Sequence, residues 1–262
     1  MRIALFDSGI GGLTVLSHAR RVLPSEEFLF FADRDHVPYG TKSVPAVRGY
    51  VRAAFRFLVE QQKADAVVVA CNTATSVAVD EMRRLYDVPI IGMEPAVKKA
   101  LEQDAEQRVL VTATPITING EKLHRLVSAH DEKNLVDLLA LPRLVEFAER
   151  REFVSQRVEE YLWNALTPYD LRNYSAIVLG CTHFNYFKDT LRRLLPKTVG
   201  FVDGNEGTVE ELARRTGLTT VSAEERTARC RFFESGRAVT GAESLARIES
   251  YLARAARMEQ IV

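Results

Sequence analysis

The sequence predicts an α/β protein built on mainly parallel sheets, and three observations predict it. Ala66-Val-Val-Val-Ala70 and Ala176-Ile-Val-Leu-Gly180 are short, β-branched, almost wholly apolar runs, as expected of strands buried on both faces of a parallel sheet. Strand-like and helix-like runs alternate along most of the chain, which favours parallel strands joined by right-handed crossovers. Each apolar run also delivers a cysteine and small polar residues, Cys71-Asn72-Thr73 and Cys181-Thr182-His183, where strand should give way to helix. Open α/β sheets bind ligands at the carboxyl ends of their strands. Two thiols about one domain's length apart therefore suggest two facing half-sites, each with one thiol.

In chain order, Ile3, Leu5 and Phe6 mark a first strand ending at Asp7-Ser8, followed by Gly9-Ile10-Gly11-Gly12. Leu13, Val15, Leu16 and Ala19 then recur at helical spacing. A glycine turn before a helix lets the backbone approach a ligand, and the helix start favours an anion. A dinucleotide fingerprint needs a third glycine where the chain has Thr14, so the nucleotide reading is weak. Phe28–Ala32 reads as a second strand, and Asp33 and the His36-Val37-Pro38-Tyr39-Gly40 loop follow it. A helix is expected from about Pro45 to Gln62, with Val47, Val51, Ala54, Phe55 and Leu58 on one face. The Cys71 strand, a helix over Ala74–Tyr86 and a strand over Pro89–Gly92 come next.

The alternation restarts around Met93–Ala96. A helix to about Glu102 precedes the strand Arg108–Thr112, and Ala113-Thr114-Pro115-Ile116-Thr117 follows it. Gly120–Ala129 is expected as helix and Leu135–Ala140 as strand. After Pro142 one charged helix, with Glu146 and Glu149, is expected to continue to Asn164. The Cys181 strand, a helix through Arg192, a strand Val199–Val202 and a helix Glu206–Arg215 complete the second half. The tail, Ala228–Glu234 and a helix from Ala242 to about Met258, is expected to return to the first half. This gives residues 1–95 plus 207–262 as one domain and 96–206 as the other.

Bulk properties narrow the function classes. The 262 residues are 47% hydrophobic and 27% charged, enough for two compact domains or one large one. Thirty-five basic residues balance thirty-five acidic ones, so nothing pulls the chain toward nucleic acid or an anionic membrane. Apolar runs fall short of a membrane span. The opening MRIALFDSG reads as a strand rather than a signal segment. Three cysteines without framework spacing argue against a secreted disulfide scaffold, and the expected home is the cytoplasm.

A thiol works as nucleophile, base or metal ligand only as thiolate, with an unperturbed pKa of about 8.5. Free cysteines are often just small buried hydrophobes, but Cys71 and Cys181 stand at strand ends beside hydrogen-bonding residues. Four chemistries compete. Zinc needs about four ligands, and Cys181-Thr-His183 alone is thin. A redox pair lacks the CxxC spacing. A single nucleophile with His183 as base leaves Cys71 unexplained. A two-base reaction at a carbon stereocentre uses both thiols, one removing a proton from one face and the other returning one to the opposite face. Asp7 and His183 are available helpers; their plainer readings are a helix cap and a turn residue. Substrate carboxylates would meet glycine-turn and helix-start N–H groups with the hydroxyls of Ser8, Thr73 and Thr182.

Asp7-Ser8-Gly9 with Gly11-Gly12, Pro38-Tyr39-Gly40, Cys71-Asn72-Thr73 and Cys181-Thr182-His183 resemble, in order and spacing, the glutamate racemases of the aspartate/glutamate racemase family. The match spans nearly the whole chain. The resemblance implies two pseudo-symmetric α/β domains with the active site in the cleft between them. It also implies cofactor-independent interconversion of L- and D-glutamate, supplying D-glutamate for peptidoglycan. Cys71 would deprotonate the D-enantiomer and Cys181 the L-enantiomer, assisted by Asp7 and His183 respectively. Glu149 best fits the family's auxiliary glutamate, with Glu146 as the alternative. Ser8, Asp33, Pro38, Tyr39, Gly40, Asn72, Thr73, Thr114, Thr117 and Thr182 would form the substrate site, and neither metal nor cofactor is implied. A homodimer is one assembly the sequence allows.

The chain departs from the family's usual pattern at His36, where arginine is common, at Phe184-Asn185-Tyr186 and at Gly236-Arg237. Cys230 matches nothing and is expected to be structural. A racemase of aspartate or another small amino acid, or a non-catalytic amino-acid-binding protein, remain as alternatives.

Overall fold

The structure, a computed structural model, describes residues 1–104, 106–221 and 228–262. Strand and helix alternate from the start: β1 (Arg2–Asp7), α1 (Leu13–Val22), β2 (Glu27–Ala32), α2 (Val44–Phe55), β3 (Ala66–Val69), α3 (Asn72–Leu85) and β4 (Ile90–Gly92). A short α4 (Val97–Leu101) leads to β5 (Arg108–Ala113), α5 (Pro115–Ile118), α6 (Glu121–His130) and β6 (Val136–Ala140). Next come α7 (Arg143–Glu149), α8 (Gln156–Leu166), β7 (Tyr174–Leu179), α9 (Lys188–Leu194) and β8 (Gly200–Val202). The chain ends with α10 (Asn205–Thr216), β9 (Arg229–Glu234), β10 (Arg237–Ala238) and α11 (Ala242–Glu259).

These strands make two sheets. One has six strands in the order β10-β9-β2-β1-β3-β4, the other four in the order β6-β5-β7-β8. Every pairing is parallel except that of β10 with β9. Val67, Val68 and Val69 of β3 and Ile177 and Val178 of β7 are buried on both faces, so each contributes the roughly 1.5–3 kcal/mol of a fully buried aliphatic side chain. In the larger sheet, β1 lies between β2 and β3; in the smaller, β5 lies between β6 and β7. Strand order reverses at both centres, which opens a crevice beyond the carboxyl ends of β1 and β3 and of β5 and β7. Those ends carry Asp7, Cys71, Thr114 and Cys181. Both crevices therefore receive the residues singled out by pattern.

Three stretches differ from expectation. The helix expected to Gln62 is α-helical only to Phe55 and continues over Arg56–Gln61 with the wider π turn. The helix expected from Pro142 to Asn164 is broken into α7 and α8. Arg151 adopts a left-handed φ of 60°, Arg151 N–H returns to Ala148 O, and Glu152 N–H returns to Phe147 O. That is the closure of a helix by a left-handed residue, and Ser155 starts α8 by accepting the Val158 N–H. After Cys181 the chain first makes a tight 3₁₀ turn over Thr182–Phe187 and becomes α-helical only at Lys188. The tail finds its place by strand pairing: β9 runs parallel to β2, with Phe232 beside Phe30, and α11 packs on α1. Among the described residues, no helix is long and apolar enough to cross a membrane.

Candidate active site

Cys71 and Cys181 are 6% and 7% exposed, so both thiols are nearly out of water. Cys71 is the N-cap of α3: the Ala74 N–H donates to its sulfur at 3.5 Å, and its own S–H donates to Ser8 Oγ at 3.5 Å. A helix start and a hydroxyl both favour thiolate, but burial and then the Asp7 charge outweigh them and push the Cys71 thiol up to about 12. Cys181 lies against a different partner. His183 Nδ1 is 3.9 Å from its sulfur, and His183 Nε2 is 2.8 Å from Glu149 Oε1. Burial alone would lower the imidazole's pKa; the hydrogen bonds and charges of Cys181 and Glu149 reverse this and raise it well above the ordinary histidine value.

Asp7, wholly buried at the end of β1, joins the two halves. One carboxylate oxygen accepts the Gly9 N–H at 2.9 Å and the other accepts the Thr182 hydroxyl at 3.0 Å. Burial raises its pKa to about 6, against the opposing pull of His183, the Gly9 N–H and Thr182. Asp7 is thus tied to the turn after β1 rather than capping α1, whose N-cap is Gly12, and it acts on Cys71 through its charge.

The glycine turn also serves a use other than ligand approach. The Ile10 N–H donates to Glu149 Oε1 at 2.8 Å, so the Gly9 and Ile10 donors are already taken by protein carboxylates. A Cβ on Gly9 would run into Glu149, and one on Gly11 into Thr182 and His183. These glycines let the first half's turn press against the second half's acid/base residues. Glu149 is the last residue of α7 and faces this turn, whereas Glu146 is exposed.

Hydroxyls bridge the other side. Thr73 Oγ1 lies 2.8 Å from Thr114 Oγ1, which lies 3.2 Å from Thr117 Oγ1, and all three are buried. A Cβ on Gly40 would meet Thr114, so Gly40 brings the Pro38-Tyr39-Gly40 turn against the same threonines. Asn72 is buried beside Thr73, and its Oδ1 has no hydrogen-bond partner among the described residues; it lines a small pocket shared with Thr117, Met93 and Lys122. Asp33 is buried rather than an exposed loop residue. It accepts from Tyr39 Oη at 2.6 Å, Ser235 Oγ at 2.9 Å and His36 Nδ1 at 2.9 Å, and so reaches the site through Tyr39. Cys230 sits apart on β9, its S–H directed to Ala228 O.

Two contributors were not visible in the pattern. Tyr186 Oη donates to Ile10 O at 3.2 Å, tying the Cys181 turn to the glycine turn, and Ser235 fixes Asp33 from the tail. Neither stands in a recognisable spacing, because both act across long sequence separations. Among the described residues, no group of three or more His, Cys, Asp or Glu side chains is arranged to hold a metal ion.

Comparison with known proteins bears on the family and the fold. Residues 14–212 match the sequence model of the family described as Asp/Glu/Hydantoin racemase. The chain is 49% identical over 267 residues to the glutamate racemase of Campylobacter curvus (strain 525.92), covering 100% of both chains. Among solved structures, a Bacillus anthracis glutamate racemase isoform superposes with a TM-score of 0.81 at 28% identity, covering 96% of this chain and 93% of that one. Escherichia coli glutamate racemase in complex with L-glutamate and an activator gives 0.80 at 28% identity, covering 95% and 94%.

Proposed function

This chain belongs to the Asp/Glu/Hydantoin racemase family, and we propose that it interconverts L- and D-glutamate with its two thiols as the acid and base. The observation that carries this reading is the pair Cys71 and Cys181, each buried at a sheet's carboxyl edge, with the Thr182 hydroxyl beside Cys181 donating to Asp7 of the other half. In the L-to-D direction a thiolate at Cys181 takes the α-proton. The resulting carbanion accepts a proton on its opposite face from the Cys71 thiol, leaving thiol at Cys181 and thiolate at Cys71. The reverse direction exchanges the roles. His183, held by Glu149, matches a thiolate at Cys181 with positive charge. Asp7, with a pKa near 6, is suited to giving and taking protons near neutral pH beside Cys71.

A carbon acid next to a carboxylate is weak, so the reaction needs preorganised donors and exclusion of water. Burial of both thiols supports that. Ser8, Thr73, Thr114, Thr117 and Thr182 supply hydroxyls, and the unpartnered Oδ1 of Asn72 suits an ammonium donor from the substrate. Tyr39 and Gly40, with Pro38 shaping the turn and Asp33 behind Tyr39, close the other side. The division into 1–95 plus 207–262 and 96–206 fits one half-site per domain. A cytoplasmic supply of D-glutamate to peptidoglycan is the biological role this implies, and a homodimer is the proposed assembly, checked by light scattering.

The test is circular dichroism of the protein incubated separately with L-glutamate, D-glutamate and L-aspartate. Loss of optical rotation from both glutamate enantiomers at a rate far above that from aspartate is expected. No racemisation, or racemisation of aspartate alone, would overturn the reading.

A further inference from the structure

Helix α11 carries none of the residues assigned above, yet two of its side chains reach the backbone that aims the Cys181 half-site. Tyr251 Oη donates to Ala148 O at 3.0 Å and to Glu149 O at 3.2 Å. These carbonyls belong to the last turn of α7, where intrahelical N–H partners run out. One turn along α11, Arg254 donates through Nε and Nη2 to Tyr186 O at 3.0 and 2.7 Å, and through Nη2 to both Asp189 oxygens at 2.8 Å. Its guanidinium lies 4.3 Å above the Phe153 ring and Arg254 is 8% exposed. A rigid planar fork satisfied on several sides holds a fixed position, which a flexible ammonium would not.

The two contacts meet around a ring. Arg254 holds the Tyr186 carbonyl in the turn that carries His183. The Tyr186 hydroxyl donates to Ile10 O, and the Ile10 N–H donates to Glu149. Glu149 faces His183, and Tyr251 holds the Glu149 carbonyl. Among the described residues neither α11 side chain hydrogen-bonds to Asp7, Ser8 or Cys71. We infer that Tyr251 and Arg254 are positioning residues for the Cys181 half-site alone, setting the line from Glu149 through His183 to the Cys181 sulfur. This rests on the two-thiol reading above.

The two enantiomers have equal free energy, so kcat/KM must fall equally in both directions whichever half-site is damaged. The α-deuterium isotope effect separates the halves. If proton removal at Cys181 becomes the slow step, the isotope effect on kcat/KM rises with α-deuterated L-glutamate and falls toward unity with α-deuterated D-glutamate. The experiment compares wild type, Tyr251→Phe, Arg254→Met and Arg254→Lys, with His183→Asn as the reference for damage to that half. Tyr251→Phe and Arg254→Met are expected to lower kcat/KM roughly tenfold through misalignment and to shift the isotope-effect pair in the same sense as His183→Asn. Arg254→Lys should recover part of both. Should Arg254→Met fail to fold, Tyr251→Phe and Arg254→Lys carry the test. A fall in kcat/KM with the pair unchanged, or shifted the opposite way, would overturn the inference. Absence of α-deuterium exchange from either glutamate enantiomer in the wild type would instead overturn the functional reading beneath it.

Discussion

The two half-sites carry the same group at equivalent strand ends, yet each is held differently. Cys71 caps a helix, shares its proton with Ser8, and is pushed up to about 12 by burial and the Asp7 charge. Cys181 precedes a 3₁₀ turn but its sulfur makes no cap hydrogen bond there; it leans on an imidazole backed by a carboxylate. A two-base reaction needs one thiolate and one thiol at any moment, and a protein with identical surroundings for both would have no preferred resting state. Unequal surroundings set one: neutral thiol at Cys71, with positive charge available beside Cys181. The lesson is that symmetry of backbone position can coexist with asymmetry in the hydrogen bonds and charges around each thiol.

The sharpest way to break this comparison is to remove either thiol. Cys71→Ser and Cys181→Ser should each lower kcat/KM in both directions by roughly 10³-fold, within the range of general acid–base catalysis. Wild-type racemisation by either single variant, followed by circular dichroism, would refute the pairing. Next in size, His183→Asn and Glu149→Gln are expected to lower kcat/KM by roughly 10²-fold and tenfold respectively. Wild-type kcat/KM in His183→Asn would mean that the imidazole does not serve Cys181 as the comparison requires.

Asp7 sharpens the comparison through stability. Its pKa is about 6 when folded against 3.8 ordinarily. The folded state therefore keeps its proton over a range where the unfolded chain has lost it, and stability falls as pH rises from about 4 through 6. The full penalty above that window is about 3 kcal/mol. Asp7→Asn, whose Oδ1 still accepts the Gly9 N–H while its Nδ2 donates to the Thr182 hydroxyl, should unfold at higher denaturant than wild type at pH 7.5 and lose that advantage near pH 4, while racemising more slowly. An advantage independent of pH would contradict the burial of an ionisable carboxyl. The smallest effect is expected at the hydroxyl bridge. Thr114→Val should cost about 1 kcal/mol in denaturant unfolding, as one buried hydrogen-bonding hydroxyl is lost from the Thr73–Thr114–Thr117 chain.

Much of this was legible from sequence because local chemistry dictated it. Short apolar β-branched runs between turn signals read as interior strands, and a thiol followed by Asn-Thr or Thr-His marks a strand's carboxyl end, although Asn72, Thr73, Thr182 and His183 all stay buried beyond it. The auxiliary glutamate came from resemblance, and the position facing His183 is Glu149 rather than the exposed Glu146. What escaped was set by long-range contact. Nothing local shows that Arg151 accepts a left-handed backbone and stops α7 at Glu149, because arginine is not a residue chosen for that turn. The glycines after β1 read as ligand-approach positions, but the neighbours they admit are Glu149, Thr182 and His183, far along the chain. The tail had no evident partner because β9 pairs with β2 across some two hundred residues of sequence separation.

The central claim is that two groups, on opposite faces of one α-carbon, share the proton traffic. It is tested most directly by starting from α-protonated L-glutamate in D₂O and reading the α-position of both enantiomers by NMR and chiral separation at early times. The account predicts D-glutamate formed with deuterium at the α-carbon, while the remaining L-glutamate still carries its original proton. D-glutamate that retains the substrate's own α-proton would show a single base passing it from face to face, and would contradict the account.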